Sequence, residues 1–215
     1  MTKGNYRFLL AAAVIALMTA VFNTAALAAS APVTGAIFTT DENSNFVNGN
    51  VYDISEDVYL NGGPRPNAPC TAAGLQDGDY YFQVTDPSGA TLLSSDAITN
   101  RRVTVSSGLM VAHSGSHGIG IGKCAAFNGF NITVQLAPFA LTPNPGGEYK
   151  AWMTKVTDYA PTSTQGSFGF INSKSKTDNF KVIPPPVDVD SDGDGIPDSQ
   201  DLCPSDPDPL CGVPQ

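Results

Sequence analysis

The chain has few of the side chains that most enzymes use for acid–base and metal chemistry. Its 215 residues include two histidines, one tryptophan and four cysteines. It has no H-E-x-x-H, G-x-S-x-G or C-x-x-C pattern. The glycines at 118, 120 and 122, with Lys123, lack the other residues of a phosphate-binding loop. We therefore expect that the protein is not an enzyme; the alternative is an extracellular enzyme with an unrecognised set of catalytic residues.

Positive charge is also scarce. Eleven basic residues stand against twenty acidic ones, and the net charge is −9 at pH 7. An acidic surface repels phosphates, so a nucleic-acid partner is not expected.

Glycine and serine surround the two histidines, His113 and His117, which favours a loop over a transition-metal site.

Long apolar runs are missing except at the start of the chain. There, Lys3 and Arg7 precede an apolar run over residues 8–22, and residues 26–28 read Ala-Leu-Ala. This order is typical of a secretory signal peptide, which we predict over residues 1–28. The run is shorter than the ~20 residues that span a bilayer. We expect a mature chain with no membrane span that is secreted, extracellular or on the cell surface; a periplasmic location is also compatible.

The four cysteines fit an exported protein, because disulfides persist in oxidising compartments. Four cysteines allow three connectivities. We favour Cys70 with Cys124 and Cys203 with Cys211, because each pair then lies within one compositional unit of the chain.

Helical periodicity is absent after residue 28, and the pattern over residues 29–183 is that of β-strands. Tyr80, Phe82 and Val84 alternate with other residues and are followed by the turn sequence D-P-S-G, which indicates a hairpin. Short strands are predicted over 35–40, 51–60, 80–85, 90–94, 101–105, 130–136, 149–156, 168–171 and 180–183. Many short strands separated by glycine, proline and asparagine predict an all-β fold, an antiparallel, immunoglobulin-like β-sandwich.

One segment of this domain resembles a family of surface domains. Residues 77–89, D-G-D-Y-Y-F-Q-V-T-D-P-S-G, are similar to the strand and turn of bacterial immunoglobulin-like and collagen-adhesin B-type domains. The resemblance implies a surface protein and leaves the ligand open.

The composition changes at the proline-rich linker, residues 184–187. Eight of the twenty acidic residues lie between Asp188 and Asp208, where there is no basic residue. Within the tail, residues 188–215, aspartates recur at the offsets of a calcium loop, in which positions 1, 3 and 5 give carboxylates and position 6 is glycine. The predicted ligands are Asp190, Asp192, Asp194, the carbonyl of Ile196, Asp198 and Asp201.

The residues around this loop decide its type. Prolines 184–186 precede it and Pro204, Pro207 and Pro209 follow it, which excludes the flanking helices of a helix-loop-helix hand and disfavours a dockerin. Residues 190–204, D-S-D-G-D-G-I-P-D-S-Q-D-L-C-P, resemble the thrombospondin type 3 repeat at every specified position. The resemblance implies a helix-poor segment that wraps around calcium and is held by disulfides. The alternative is an acidic, disordered tail that keeps the protein soluble.

These features support three hypotheses of function. The first is a secreted or cell-surface structural or adhesion-type protein with a calcium-binding repeat and an extracellular protein or glycan partner. The second is a carbohydrate-binding module that uses Trp152 for stacking, although a sandwich strand more often buries its tryptophan. The third is the enzyme mentioned above. Residues 41–45 read D-E-N-S-N, and we favour a solvated turn there over a second cation site.

Overall fold

The computed structural model describes residues 34–184, 189–208 and 211. The predicted signal peptide, and all but the first residue of the predicted linker, lie outside the described residues. Ten strands form two sheets. In chain order they are β1 (Ala36–Thr40), β2 (Val51–Tyr52), β3 (Tyr59–Gly63), β4 (Gly78–Thr85), β5 (Arg102–Ser106), β6 (Leu109–Ser114), β7 (Ile119–Ile121), β8 (Ile132–Gln135), β9 (Glu148–Lys155) and β10 (Ser175–Val182). The helical elements are α1 (Ala125–Asn128) and the 3₁₀ turns Ser55–Asp57, Ile98–Asn100, Val156–Asp158 and Asn172–Lys174.

The two sheets have the orders β1-β3-β8-β7 and β2-β10-β9-β4-β5-β6. Their facing side chains form one core, to which both sheets contribute. The predicted all-β fold is therefore confirmed, with the two sheets packed as a sandwich. Neighbouring strands pair antiparallel with one departure: β2 joins the edge of β10 in the parallel direction over two residues.

The face of β4 that the sequence predicts to be apolar is the face buried in the core of the sandwich. Tyr80, Phe82 and Val84 share a face, as the sequence predicts, and all three are fully buried in the core. Successive side chains on a strand point to opposite faces of the sheet, so Gln83 lies on the other face. Its amide there donates to the carbonyl of Ser167 at 2.9 Å.

The predicted strand over residues 51–60 is wrong as a continuous element. It is divided into β2, the 3₁₀ turn Ser55–Asp57 and the start of β3. β2 pairs with β10 in one sheet, whereas β3 pairs with β1 in the other. The chain changes sheets within this segment, and a straight strand cannot do so.

Other strand predictions differ from the structure over whole elements. Residues 90–94 and 168–171 form isolated bridges instead of strands. β6 and β7 were not predicted, because β6 begins with four apolar residues in a row and so lacks alternation, and β7 is only three residues long. In β7 the glycine lies between two exposed isoleucines, Ile119 and Ile121.

Both predicted disulfides form. Cys70 and Cys124 are bonded with a Cα–Cα distance of 5.6 Å, and Cys203 and Cys211 with one of 6.0 Å. Two disulfides fit a protein of an oxidising compartment. Over the described part of the chain, none of the helices has the length and apolar character that a bilayer crossing requires.

Trp152 lies in the middle of β9 and is 4% exposed. Its neighbours Ala151 and Met153 belong to the core between the sheets, so its own side chain lies on the outer face of the six-stranded sheet. The indole nitrogen donates to the Oγ1 of Thr85 at 2.9 Å. A Cβ at Gly89 would lie 3.2 Å from the indole ring, so the glycine permits the turn to pack against it.

Substituting Thr85→Val is expected to lower the free energy of unfolding by about 1–3 kcal/mol, because it leaves the buried indole N–H without an acceptor. Chemical denaturation monitored by the fluorescence of the single tryptophan measures this loss. Thr91→Val is the matched control, since Thr91 is exposed and its replacement is expected to change stability by less than about 0.5 kcal/mol. Equal effects of the two substitutions would contradict the assigned hydrogen bond.

Candidate metal site

The aspartate-rich tail folds into a compact loop between Val189 and Asp201. The amide of Asp198 donates to the carbonyl of Val189 at 2.7 Å, which brings the two ends of the loop together. Gly193 and Gly195 have φ values of 79° and 90°. Those left-handed conformations suit glycine and allow the backbone to turn sharply inside the loop.

Backbone amides of the loop donate hydrogen bonds to the carboxylates of Asp190, Asp192 and Asp194. The amides of Gly193 and Gly195 donate to Asp190 at 2.7 and 3.0 Å. The Oδ1 atoms of Asp192 and Asp194 each accept from the amide two residues later, at 3.2 and 2.7 Å. These bonds fix the carboxylates by local geometry, as aspartates in turns commonly do.

The remaining oxygens of three carboxylates are buried without a hydrogen-bond partner. They are the Oδ2 atoms of Asp192, Asp194 and Asp201. A buried, unpartnered oxygen is costly, and more so when it carries charge. A cation bound beside these atoms would offset that cost. Three such atoms in one loop point to a cation site.

Asp190, Asp192 and Asp194 also converge. Each offers one carboxylate oxygen, and these three atoms lie within 4.8 Å of one another. Within residues 34–184, 189–208 and 211 this is the one group of three or more histidine, cysteine or acidic side chains that meets that criterion. Several oxygen ligands on a flexible loop are the donor set that calcium prefers, so the residues present fit this ion.

The electrostatics of the loop differ from one carboxylate to the next. Desolvation raises the pKa of Asp192, and the charges of Asp194, Asp201 and Asp190 add to this effect. Bonds from Ser191 lower the pKa of Asp198. Mutual repulsion at Asp192 is the condition that a divalent cation relieves.

The six predicted ligands therefore fall into groups. The structure brings Asp190, Asp192 and Asp194 together. One carboxylate oxygen of Asp201 is buried and has no hydrogen-bond partner. Asp198 lies differently, since both of its oxygens accept from Ser191, one from the amide at 2.8 Å and one from the hydroxyl at 2.7 Å. The role of the Ile196 carbonyl as a ligand stays a prediction.

Sequence reasoning missed the part that Ser191 plays. Between two aspartates it looked like a spacer, yet its amide and hydroxyl join Asp198 across the loop. Local hydrogen bonds of serine reach two to four residues along the chain, whereas this one spans seven, so the sequence carries no signal for it. The tail disulfide begins two residues after Asp201, whose carboxylate accepts from the amide of Cys203 at 2.9 Å.

Both histidines are hydrogen-bonded within the sandwich. His117 contacts the carbonyl of Gln135 at 2.8 Å and the carboxylate of Asp96 at 3.0 Å through its two ring nitrogens. His113 contacts the carbonyl of Asn100 at 2.8 Å. The rings are 5.4 Å apart and perpendicular. His117 lies in the loop between β6 and β7, whereas His113 lies on β6, so the predicted loop holds only one of the two histidines.

Lys123 and Trp152 make contacts within the sandwich domain. The ammonium group of Lys123 donates to the carbonyls of Arg65, Pro66 and Ala68. It thereby holds the loop that carries Cys70. Trp152 is buried, as described above, so it does not offer an open stacking face.

Acidification is expected to destabilise the protein partly through His113. Burial lowers the pKa of His113 in the folded state, whereas its unfolded value is about 6.5. The unfolded state therefore binds the proton first, and stability falls as the pH drops below about 6.5. His113→Gln removes this contribution, so its stability should fall less than that of the wild type over the same range. Denaturant titrations at several pH values measure the difference, and parallel pH profiles would contradict the effect.

Comparisons with protein-family models, with curated proteins and with solved structures found no match. The likeness of the tail to the thrombospondin type 3 repeat therefore depends on residues 190–204 and on the loop geometry described above.

Proposed function

We propose that the protein is a secreted or cell-surface structural protein that binds calcium in its C-terminal loop and contacts an extracellular partner through its sandwich. The observation that carries this proposal is the set of three buried carboxylate oxygens without partners, on Asp192, Asp194 and Asp201. A tail that only kept the protein soluble has no need to bury them.

Asp190, Asp192, Asp194 and Asp201 would hold the ion. Calcium supplies positive charge and ligand bonds, and its role here is structural. With the ion bound, the carboxylates no longer repel one another, so binding and ordering of the tail are coupled. The chain contributes the sharp turns at glycine and the amide bonds that orient each carboxylate.

The proposed location agrees with this chemistry. Extracellular calcium modules bind the ion with dissociation constants of about 10⁻⁴–10⁻³ M, so a site of few ligands suffices outside the cell. The disulfide between Cys203 and Cys211 closes a short ring directly after the loop. That ring limits fraying where the ligands need order.

Two measurements test the proposal. Isothermal titration calorimetry on the mature chain, residues 29–215, is expected to show calcium binding in the range given above. Fractionation of producing cells is expected to retain the protein at the surface in calcium and to release it on washing with chelator. If calorimetry detected no calcium binding, the metal site would be overturned. If the same amount of protein were released from the cells with and without chelator, the surface role of the loop would be overturned.

A further inference from the structure

A second concave site lies on the sandwich, where the segment that follows β1 meets the segment around β2. It is a cavity of about 570 Å³. Four acidic residues and three aromatic residues line it, and none of its described lining residues is basic. They are Asp41, Glu42, Asp53, Asp57, Phe46, Tyr52 and Tyr59. The four carboxylates take no part in the ion pairs recorded among the described residues. We call this site the acidic cavity.

A buried hydroxyl without a partner belongs to the acidic cavity. Tyr52 is 8% exposed, and its hydroxyl makes no hydrogen bond. The Thr39 side chain lies near enough to act on the pKa of this hydroxyl as a hydrogen-bond partner, but the contact falls outside hydrogen-bond geometry. The Thr39 hydroxyl contacts the carbonyl of Gly49 at 2.8 Å and the carboxylate of Asp178 at 3.0 Å. A Cβ on residue 49 would lie 3.2 Å from the Tyr52 hydroxyl, and Gly49 also lines the cavity. An unsatisfied hydroxyl beside a cavity is a group that a ligand can pair.

The field inside the acidic cavity is negative. Burial raises the pKa of Tyr52, and the charges of Asp178, outside the cavity, and then of Asp41 add to this effect. Burial likewise raises the pKa of Tyr59, with contributions from Glu42 and Asp57. The carboxylates therefore act on both phenols. A cation that enters the cavity meets several negative charges, and none of the described residues that line it is basic.

The arrangement of the carboxylates does not suit a metal ion. Asp41 accepts from the amide and the side chain of Asn45 at 2.7 and 2.8 Å, which is the turn expected over residues 41–45. The one convergent metal-type group found among the described residues is in the tail. Carboxylates spread around a cavity of this size instead suit a cation of several atoms.

We propose that the acidic cavity binds the guanidinium group of an arginine side chain on a partner protein. Guanidinium is planar, always charged and a donor only, so it pairs with carboxylates and stacks on aromatic faces. Phe46 is 68% exposed and offers such a face. The Tyr52 hydroxyl offers a lone pair to an N–H group. This binding goes beyond the calcium site, because it uses other residues and does not require the ion.

The test is a titration of the isotope-labelled mature chain, kept saturated with calcium, followed by NMR. The probe is the peptide acetyl-Gly-Arg-Gly-amide, and its control contains citrulline, which has nearly the same shape but no charge. The arginine peptide is expected to shift the amide signals of Gly49, Tyr52 and Tyr59, and the citrulline peptide is not. Equal shifts with both peptides, or shifts confined to the acidic tail, would overturn the proposal.

Two variants separate binding from folding. Tyr52→Phe keeps the ring and removes an unpaired hydroxyl, so stability should stay the same or rise, whereas affinity for the arginine peptide should fall about tenfold. Asp53→Asn should weaken binding about threefold, and Asp77→Asn, an exposed carboxylate outside the cavity, should not. Calcium affinity should be unchanged in all three. Unaltered peptide affinity in Tyr52→Phe would refute the assignment without bearing on the calcium site.

Discussion

Addition of calcium to the chelated mature protein is expected to order residues 190–201, and Asp194→Asn is expected to weaken calcium binding by on the order of 100-fold. The reason is that Asp194 provides one of the three converging oxygens and also a buried oxygen without a partner. Far-ultraviolet circular dichroism and NMR signal dispersion of the tail report the ordering, and calorimetry reports the affinity. The sandwich should stay folded throughout, since its core is formed by residues outside the tail.

The same substitution is expected to act in the opposite direction when calcium is absent. Asp194→Asn removes one of the charges that raise the pKa of Asp192, so the chelated tail should be less extended than in the wild type. Asp206→Asn is the matched control, because it changes the charge of the tail equally from an exposed position outside the convergent group. If both variants bound calcium as the wild type does, the loop would not be a calcium site.

Asp96→Asn is expected to lower the free energy of unfolding by about 3–5 kcal/mol, which is the usual cost of leaving a buried charge without its partner. Asp96 contacts the guanidinium of Arg101 at 3.3 Å and His117 at 3.0 Å. The side chains of Arg101 and His117 are 5% and 1% exposed. Burial lowers the pKa of Arg101 and the charge of Asp96 opposes this effect, so Asp96 stabilises the charged form of Arg101.

An exposed ion pair between β4 and β5 provides the control. Asp79 and Arg102 pair at the surface, with side chains 36% and 43% exposed. Solvent screens such pairs, and they contribute about 0–1 kcal/mol. Asp79→Asn should therefore cost much less than Asp96→Asn in the same denaturant titration at neutral pH. Equal losses would show that the buried cluster does not stabilise the fold in this way.

Parts of this fold follow from local patterns. The alternation of Tyr80, Phe82 and Val84 predicts both a strand and its buried face, because the period of two is a property of the extended backbone. The disulfides follow from the grouping of cysteines along the chain. The break inside residues 51–60 cannot be predicted from local patterns, because a segment that passes from one sheet to the other has the same residue types as a continuous strand.

The sequence pattern did not predict the strands β6 and β7. β6 and β7 pair with neighbours that supply the hydrogen bonds, so their own side chains need not show an alternating apolar pattern. The segment 168–171 shows the reverse case. It has apolar residues at suitable spacing, and Phe170 is fully buried, but the segment forms only the isolated bridge between Ser167 and Phe170.

The sequence by itself determined the candidate calcium loop. Its ligands lie within twelve residues, and aspartates at alternate positions of a tight, glycine-containing turn converge through local geometry alone. Tertiary structure decided the features that join distant residues. It placed Trp152 on the outer face, brought Asp96 to Arg101 and His117, and assembled the acidic cavity from residues 41–46 and 49–59. Such contacts depend on strand register and on the packing of the sheets, which local patterns do not specify.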